Sequence, residues 1–262
     1  MPSIHPTAVV DPKAEIGEVE IGPYAVVGPE VMLADGVVLE PHTVVMGITH
    51  IGPRTRVCTH ASLGGPPQDR KHDDRSTALE IGADNIFREF TTAHCGSSSG
   101  GGVTVIGDRN YFMANSHVAH DCRVGSDCMF ANSAAIAGHV VIGDGVVLGG
   151  LVGVHQHVRI GRLAMVGGGA MCAQDIPPFA LAQGDRARLF GLNVTGLKRA
   201  GIDPSVVGAL KGAWRTLFVS GLPSRDAIAR VREEQGDVPE VLELVAFLES
   251  SKRGVCRAAG AR

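Results

Sequence analysis

The chain has 262 residues, 44% hydrophobic and 19% charged, which is ordinary for a globular protein with a substantial core. Its formal net charge of -3 gives no support for nucleic-acid binding. No basic N-terminal segment leads into an apolar run and no 18-residue apolar stretch occurs, so neither a signal peptide nor a membrane span is expected.

Apolar residues recur every six positions from the start: Ile4, Val10 and Ile16, a slip of one residue at Ile21, then Val27, Leu33, Leu39, Val45, Ile51, Val57 and Leu63. Pro6, Pro12, Gly22, Pro29, Pro41 and Gly52 follow them and suit corners better than strand centres. The pattern breaks at residues 64–77, GGPPQDRKHDDRST, resumes at Ile81 and Phe87, and breaks again at residues 95–102, CGSSSGGG. Insertions into a repeat leave the stack as loops, commonly on the binding face. The charged first loop is the better site candidate, and the second reads as a flexible linker.

From Ile106 the ruler runs without a slip through Phe112, Val118, Val124, Phe130, Ile136, Ile142, Leu148, Val154, Ile160, Val166 and Cys172. A period of six matches neither the 3.6 of a helix nor the 2 of a lone strand. It predicts a parallel β-helix of hexapeptides, three per coil, so that residues 18 apart lie one above another. Resemblance to known hexapeptide solenoids adds a left-handed winding. Thirty-five glycines suit its corners, and Cys58, Cys95, Cys122, Cys128, Cys172 and Cys256, with no CxxC pair, read as buried thiols of a reducing cytoplasm.

The fold class is therefore mainly β, with a left-handed parallel β-helix over residues 1–188 and a small C-terminal α-helical domain over residues 189–262. After the exit segment AQDIPPFALAQGDRARLFGLN, Asp203 caps a helix with Pro204 at its first position, running to about residue 219. Ser224 caps a second to about residue 235. Pro239 opens a third, with Val241, Leu244, Val245 and Leu248 along one face. From Asn193 onward eleven Lys/Arg stand against eight Asp/Glu, so the tail would attract an acidic partner.

Residues 115–122 read NSHVAHDC, and histidines recur at His139, His155 and His157. The 18-residue coil puts Asp121, His139 and His157 in one column and His120, Gly138 and Gln156 in the next. Two chemistries fit such a cluster. In one, His120 is a general base, Asp121 fixes its tautomer, and a glycine amide on the adjacent coil donates to an oxyanion. In the other, three histidines bind zinc, as in solenoids resembling the gamma-class carbonic anhydrases.

NSHVAHDCRVG, AIAGHVVIG, GVHQHVRIG, AQDIPPFALAQGD and GLNVTGLKRAG, with the loop PPQDRK and the ending FLESSKRGVCR, resemble the UDP-N-acetylglucosamine O-acyltransferases over nearly the whole chain. The resemblance implies transfer of a 3-hydroxyacyl group from acyl carrier protein to the 3-hydroxyl of UDP-N-acetylglucosamine, the first step of lipid A synthesis. It implies a cytoplasmic homotrimer with sites between subunits and no metal or organic cofactor. His120 matches the base, Asp121 its orienting partner and Gly138 the oxyanion amide. His117, His139, His155 and Gln156 match the substrate cleft, Asp69 and Lys71 the sugar-contacting loop, and Asn193 and Arg199 the nucleotide end. Gly168 matches the position that sets acyl length, where glycine leaves room for a long chain.

The sequence departs from that family at three places. Thr195 stands where many members have glutamate, Ala200 replaces a second basic residue, and Cys95 replaces the arginine of a His-Arg-Gly-Thr segment. Transfer to a 3-amino sugar nucleotide is the alternative within acyl transfer. The related N-acyltransferase of the pathway carries an additional N-terminal domain, whereas the hexads here begin at Ile4.

Overall fold

A computed structural model describes residues 1–73 and 76–260; Asp74 and Arg75 of the first insertion and the last two residues lie outside the described ones. The chain winds as a left-handed parallel β-helix, its strands of two to five residues stacked into sheets of 11, 9 and 8. All twelve apolar residues of the ruler from Ile106 to Cys172 are core, none more than 4% exposed. Phe87, Phe112 and Phe130 stack down the axis at ring separations of 4.7 and 4.9 Å. Each such buried ring contributes about 1.5–3 kcal/mol relative to exposure.

The register reports each interruption. Tyr111 pairs with Met129, one 18-residue coil on. Ile4 pairs with Ile21, the slip, while Arg56 pairs with Ile86 across the first insertion and Ile86 with Tyr111 across the second. The strands on either side of both insertions keep their parallel pairing, with one register shift between Leu63 and Gly65 where the first insertion begins. Corners turn through left-handed backbone: Asp121, His139 and His157 have φ of 59°, 62° and 62°. Asp, Asn and His accept that conformation better than most side chains, so corner chemistry and site chemistry ask for the same residues.

The solenoid ends in the one antiparallel pairing among the described residues, Ala180–Gln183 with Arg188–Leu192. Helices α1 (Val194–Arg199), α2 (Pro204–Phe218), α3 (Ser224–Gln235) and α4 (Pro239–Glu249) follow. Phe179, Leu197, Leu210, Ala213, Val231, Val241, Leu244 and Val245 form their core, and Trp214 and Cys256 join that of the solenoid. Asp203 caps α2 as expected, accepting from the Ser205 N–H at 2.8 Å. Ser224 does not cap α3: it is the first helical residue, preceded by Pro223, and makes no side-chain cap bond. Helix α1, which the sequence reading lacked, is capped by Asn193. Among the described residues, no helix is long and apolar enough to cross a membrane.

Candidate active site

The strand His117–Val118 runs into the corner that carries His120 and Asp121. Asp121 is buried and its carboxylate is saturated with donors. Oδ1 accepts from the Gly102 N–H at 3.0 Å, both oxygens face the Ser97 N–H at 3.1 Å, and Oδ2 accepts from Ser97 Oγ at 2.6 Å. His120 Nδ1 lies 2.8 Å from the same Oδ2. Burial alone would raise the carboxyl, but the bonds from Ser97 and His120 outweigh it and hold Asp121 below the usual carboxylate range. A charged Asp121 requires His120 to donate through Nδ1, which leaves the Nε2 lone pair free to accept a proton.

The expectation of a flexible second insertion does not hold. Ser97 is fully buried, and the loop is the wall around Asp121; a Cβ on Gly100 would overlap the carboxylate. The same loop holds the first insertion. Ser99 Oγ donates to Asp69 Oδ2 at 2.8 Å, the Ser98 N–H to His72 Nδ1 at 3.2 Å, and the Asp73 N–H to Ser98 Oγ at 2.9 Å. Asp69 also accepts the Lys71 N–H at 3.0 Å; this bond and that from Ser99 lower its carboxyl.

Both predicted columns exist. His139 Nε2 is 3.9 Å from Asp121 Oδ2, its ring stacks on His157 at 4.4 Å and meets His120 edge-on at 5.2 Å. Burial lowers the His139 imidazole, against the pull of Asp121. In the neighbouring column a Cβ on Gly138 would lie 2.5 Å from His120 Cε1 and 2.7 Å from Nε2, so only glycine admits the ring. The Gly138 N–H has no acceptor among the described residues. His117 bonds Thr92 Oγ1 at 2.7 Å and meets His94 edge-on; burial, with His94 and His120 adding, pushes it down to about 4.

A cleft of about 640 Å³ runs along this face over successive coils, past His117 and His120, then Gly138, His155 and Gln156, to Met171. The sequence reading missed Gln68, Met171, Asp185 and Arg186 in its lining. Met171 could have been found by phase, being one coil beyond Gly153. Asp185 and Arg186 come from the hairpin tip, which no repeat predicts. Other expected residues lie outside this lining. His139 faces a second hollow with His157, Arg159, Lys252 and Arg253. Asn193 is engaged structurally, Oδ1 capping α1 and Nδ2 donating to the Leu163 carbonyl at 2.9 Å. Arg199 is exposed at the end of α1. Gly168 sits at the corner before Met171–Cys172, near the Gly150 carbonyl.

His120, Asp121 and His139 present donors within 4.8 Å of one another. The set is two imidazoles and a carboxylate, not the three histidines of the zinc reading, and Asp121 is already engaged by Ser97 and Gly102.

Comparison with known proteins agrees with the acyl-transfer reading. Residues 175–256 match the family model of domain 2 of UDP-N-acetylglucosamine O-acyltransferase, and residues 104–138 that of the bacterial transferase hexapeptide (six repeats). The chain is 48% identical to the acyl-[acyl-carrier-protein]–UDP-N-acetylglucosamine O-acyltransferase of Syntrophobacter fumaroxidans, over 97% of this chain and 99% of that one. It is 45% identical to the protein of the same name from Thermodesulfovibrio yellowstonii, over 98% of this chain and all of that one. The crystal structure of UDP-N-acetylglucosamine O-acyltransferase from Moraxella catarrhalis superposes with a TM-score of 0.94 at 39% identity, covering 97% of this chain and 99% of that one. With full-length relatives at this identity, the chain belongs to the UDP-N-acetylglucosamine O-acyltransferase family.

Proposed function

We propose that the chain transfers a 3-hydroxyacyl group from acyl carrier protein to the 3-hydroxyl of UDP-N-acetylglucosamine, the first step of lipid A biosynthesis, with His120 as general base. Its relatives are named O-acyltransferases of this sugar nucleotide, which favours the hydroxyl over a 3-amino acceptor and acyl transfer over carbonic anhydrase chemistry. The observation that carries the mechanism is the 2.8 Å contact of His120 Nδ1 with a charged, buried Asp121, in the lining of an open cleft.

In this reading His120 Nε2 takes the proton of the sugar 3-hydroxyl as its oxygen attacks the thioester carbonyl. The Gly138 N–H donates to the tetrahedral oxyanion, Asp121 stabilises the imidazolium, and the C–S bond breaks as His120 returns the proton to the departing thiolate of the carrier protein. No acyl-enzyme is needed, and Cys122 is no nucleophile: burial pushes its thiol up to about 12. Asp69 and Lys71 contact the sugar, His117, His139, His155 and Gln156 shape the cleft, Asn193 and Arg199 serve the nucleotide end, and Gly168 sets acyl length. We place the enzyme in the cytoplasm as a homotrimer. Incubating the purified chain with 3-hydroxyacyl carrier protein and UDP-N-acetylglucosamine should yield the 3-O-acyl sugar nucleotide and free thiol in equal amounts. Absence of transfer would sink the proposal.

A further inference from the structure

Three consecutive serines of the second insertion bond to three different parts of the site. Ser97 gives both its N–H and its Oγ–H to Asp121, at 3.1 and 2.6 Å. Ser98 holds His72 and Asp73 through its N–H and Oγ. Ser99 gives its hydroxyl to Asp69 Oδ2 at 2.8 Å. A loop that merely closed a coil would spend its hydroxyls on its own strands or on water; these reach residues 24 to 30 positions away in sequence.

We infer that Ser97 and Ser99 are positioning residues: Ser97 fixes the carboxylate that orients the base, and Ser99 fixes the acceptor loop, so that one strut sets the distance between base and sugar. The inference rests on the reaction proposed above. Ser97 Oγ–H and His120 Nδ1–H converge on the same oxygen, Oδ2 of Asp121. The hydroxyl therefore does two things. It locks the carboxylate rotamer, and it takes up part of the charge on the oxygen that faces His120 Nδ1. Ser99 has no bond to Asp121; its Oγ lies 3.4 Å from Ser97 Oγ, but its short bond, at 2.8 Å, is to Asp69.

The two serines should thus fail differently. Ser97→Ala should lower kcat about tenfold, leave the KM for the sugar nucleotide within about twofold, and move the acid limb of the kcat/KM profile up by roughly half a pH unit. Ser97→Thr, which keeps the hydroxyl, should bring the limb back. Ser99→Ala should raise the sugar-nucleotide KM about fivefold or more, with kcat and the acid limb unchanged. An unmoved acid limb in Ser97→Ala, or parallel losses in both variants accompanied by a lower Tm, would overturn the inference. Wild-type transfer and its loss in His120→Ala test the underlying reaction separately, so the strut can fail while the reaction stands.

Discussion

At the scale of single residues, the proposed catalysis rests on one imidazole whose environment is built by others. His120 stands at a corner, outside the core stack, so His120→Ala should leave the fold and assembly intact and lower turnover by at least about 10²-fold. Near-wild-type turnover in that variant would remove the mechanism. Asp121→Asn should be milder if its carboxamide keeps the ring oriented. The neighbouring imidazoles make a separate prediction, for stability. His117 is held near 4 by burial against a usual 6.5. The unfolded chain therefore binds a proton through that interval that the folded chain refuses, and stability should fall as pH drops from about 6.5 to about 4. His94 and His139 are shifted the same way. The loss from His117 alone is on the order of 2–3 kcal/mol. Urea midpoints measured across that range should show it, and His117→Asn should flatten the slope; equal slopes would mean that His117 protonates without penalty.

At the scale of elements, the repeat was legible and the insertions were not, for one physical reason. Each rung needs the same core residue, so Val118, Ile136 and Val154 announce their stacking by spacing alone. The conformation of residues 95–102 is fixed by bonds to Asp121 and Asp69, which no local pattern encodes. Glycine and serine supply both flexibility and close approach, and sequence alone does not separate the two. Helix α1 was missed because six residues carry too little periodicity; Asn193, the residue matched to the nucleotide end, is also its cap. The seam between solenoid and helices is equally nonlocal. Buried Asp175 accepts from the Arg159 N–H at 2.8 Å and Ser251 Oγ at 2.8 Å, while the Arg159 guanidinium lies 4.4 Å over the Phe247 ring. Asp175→Ala would orphan these donors, at about 1–3 kcal/mol each when buried. We expect a Tm lower by several degrees and faster proteolysis within α4, with the His120 site retained; an unchanged Tm would show that the seam is held by apolar packing alone.

At the scale of the whole molecule, the expected substrate residues divide between two faces of one corner. His117, His120, His155 and Gln156 line the long cleft, His139 and His157 the hollow with Lys252 and Arg253, and Asn193 and Arg199 sit on neither. In the proposed homotrimer a neighbouring copy against this corner would bring the two sets together; sedimentation should then show a trimer, and a fully active monomer would contradict it. In the proposed reaction the same cleft would set what acyl chain fits. It advances one coil, about 4.8 Å, for each of Ala135, Gly153 and Met171, so chain length is measured in rungs. Gly168 lies at the corner of the Met171 rung, where a Cβ would come within 3.2 Å of the Gly150 carbonyl oxygen. Met171 is already close across the floor: its Sδ would be 2.8 Å from a Cβ on Gly153. In the proposed reaction the two residues would therefore act on the same rung. Gly168→Met should shift preference toward shorter 3-hydroxyacyl donors, and Met171→Ala, by clearing the floor, toward longer ones. Competition among carrier proteins bearing graded chains reads both shifts at once. A profile unchanged by Gly168→Met but lengthened by Met171→Ala would put the stop on the cleft floor, and one unchanged by either would place the end of the groove beyond this rung.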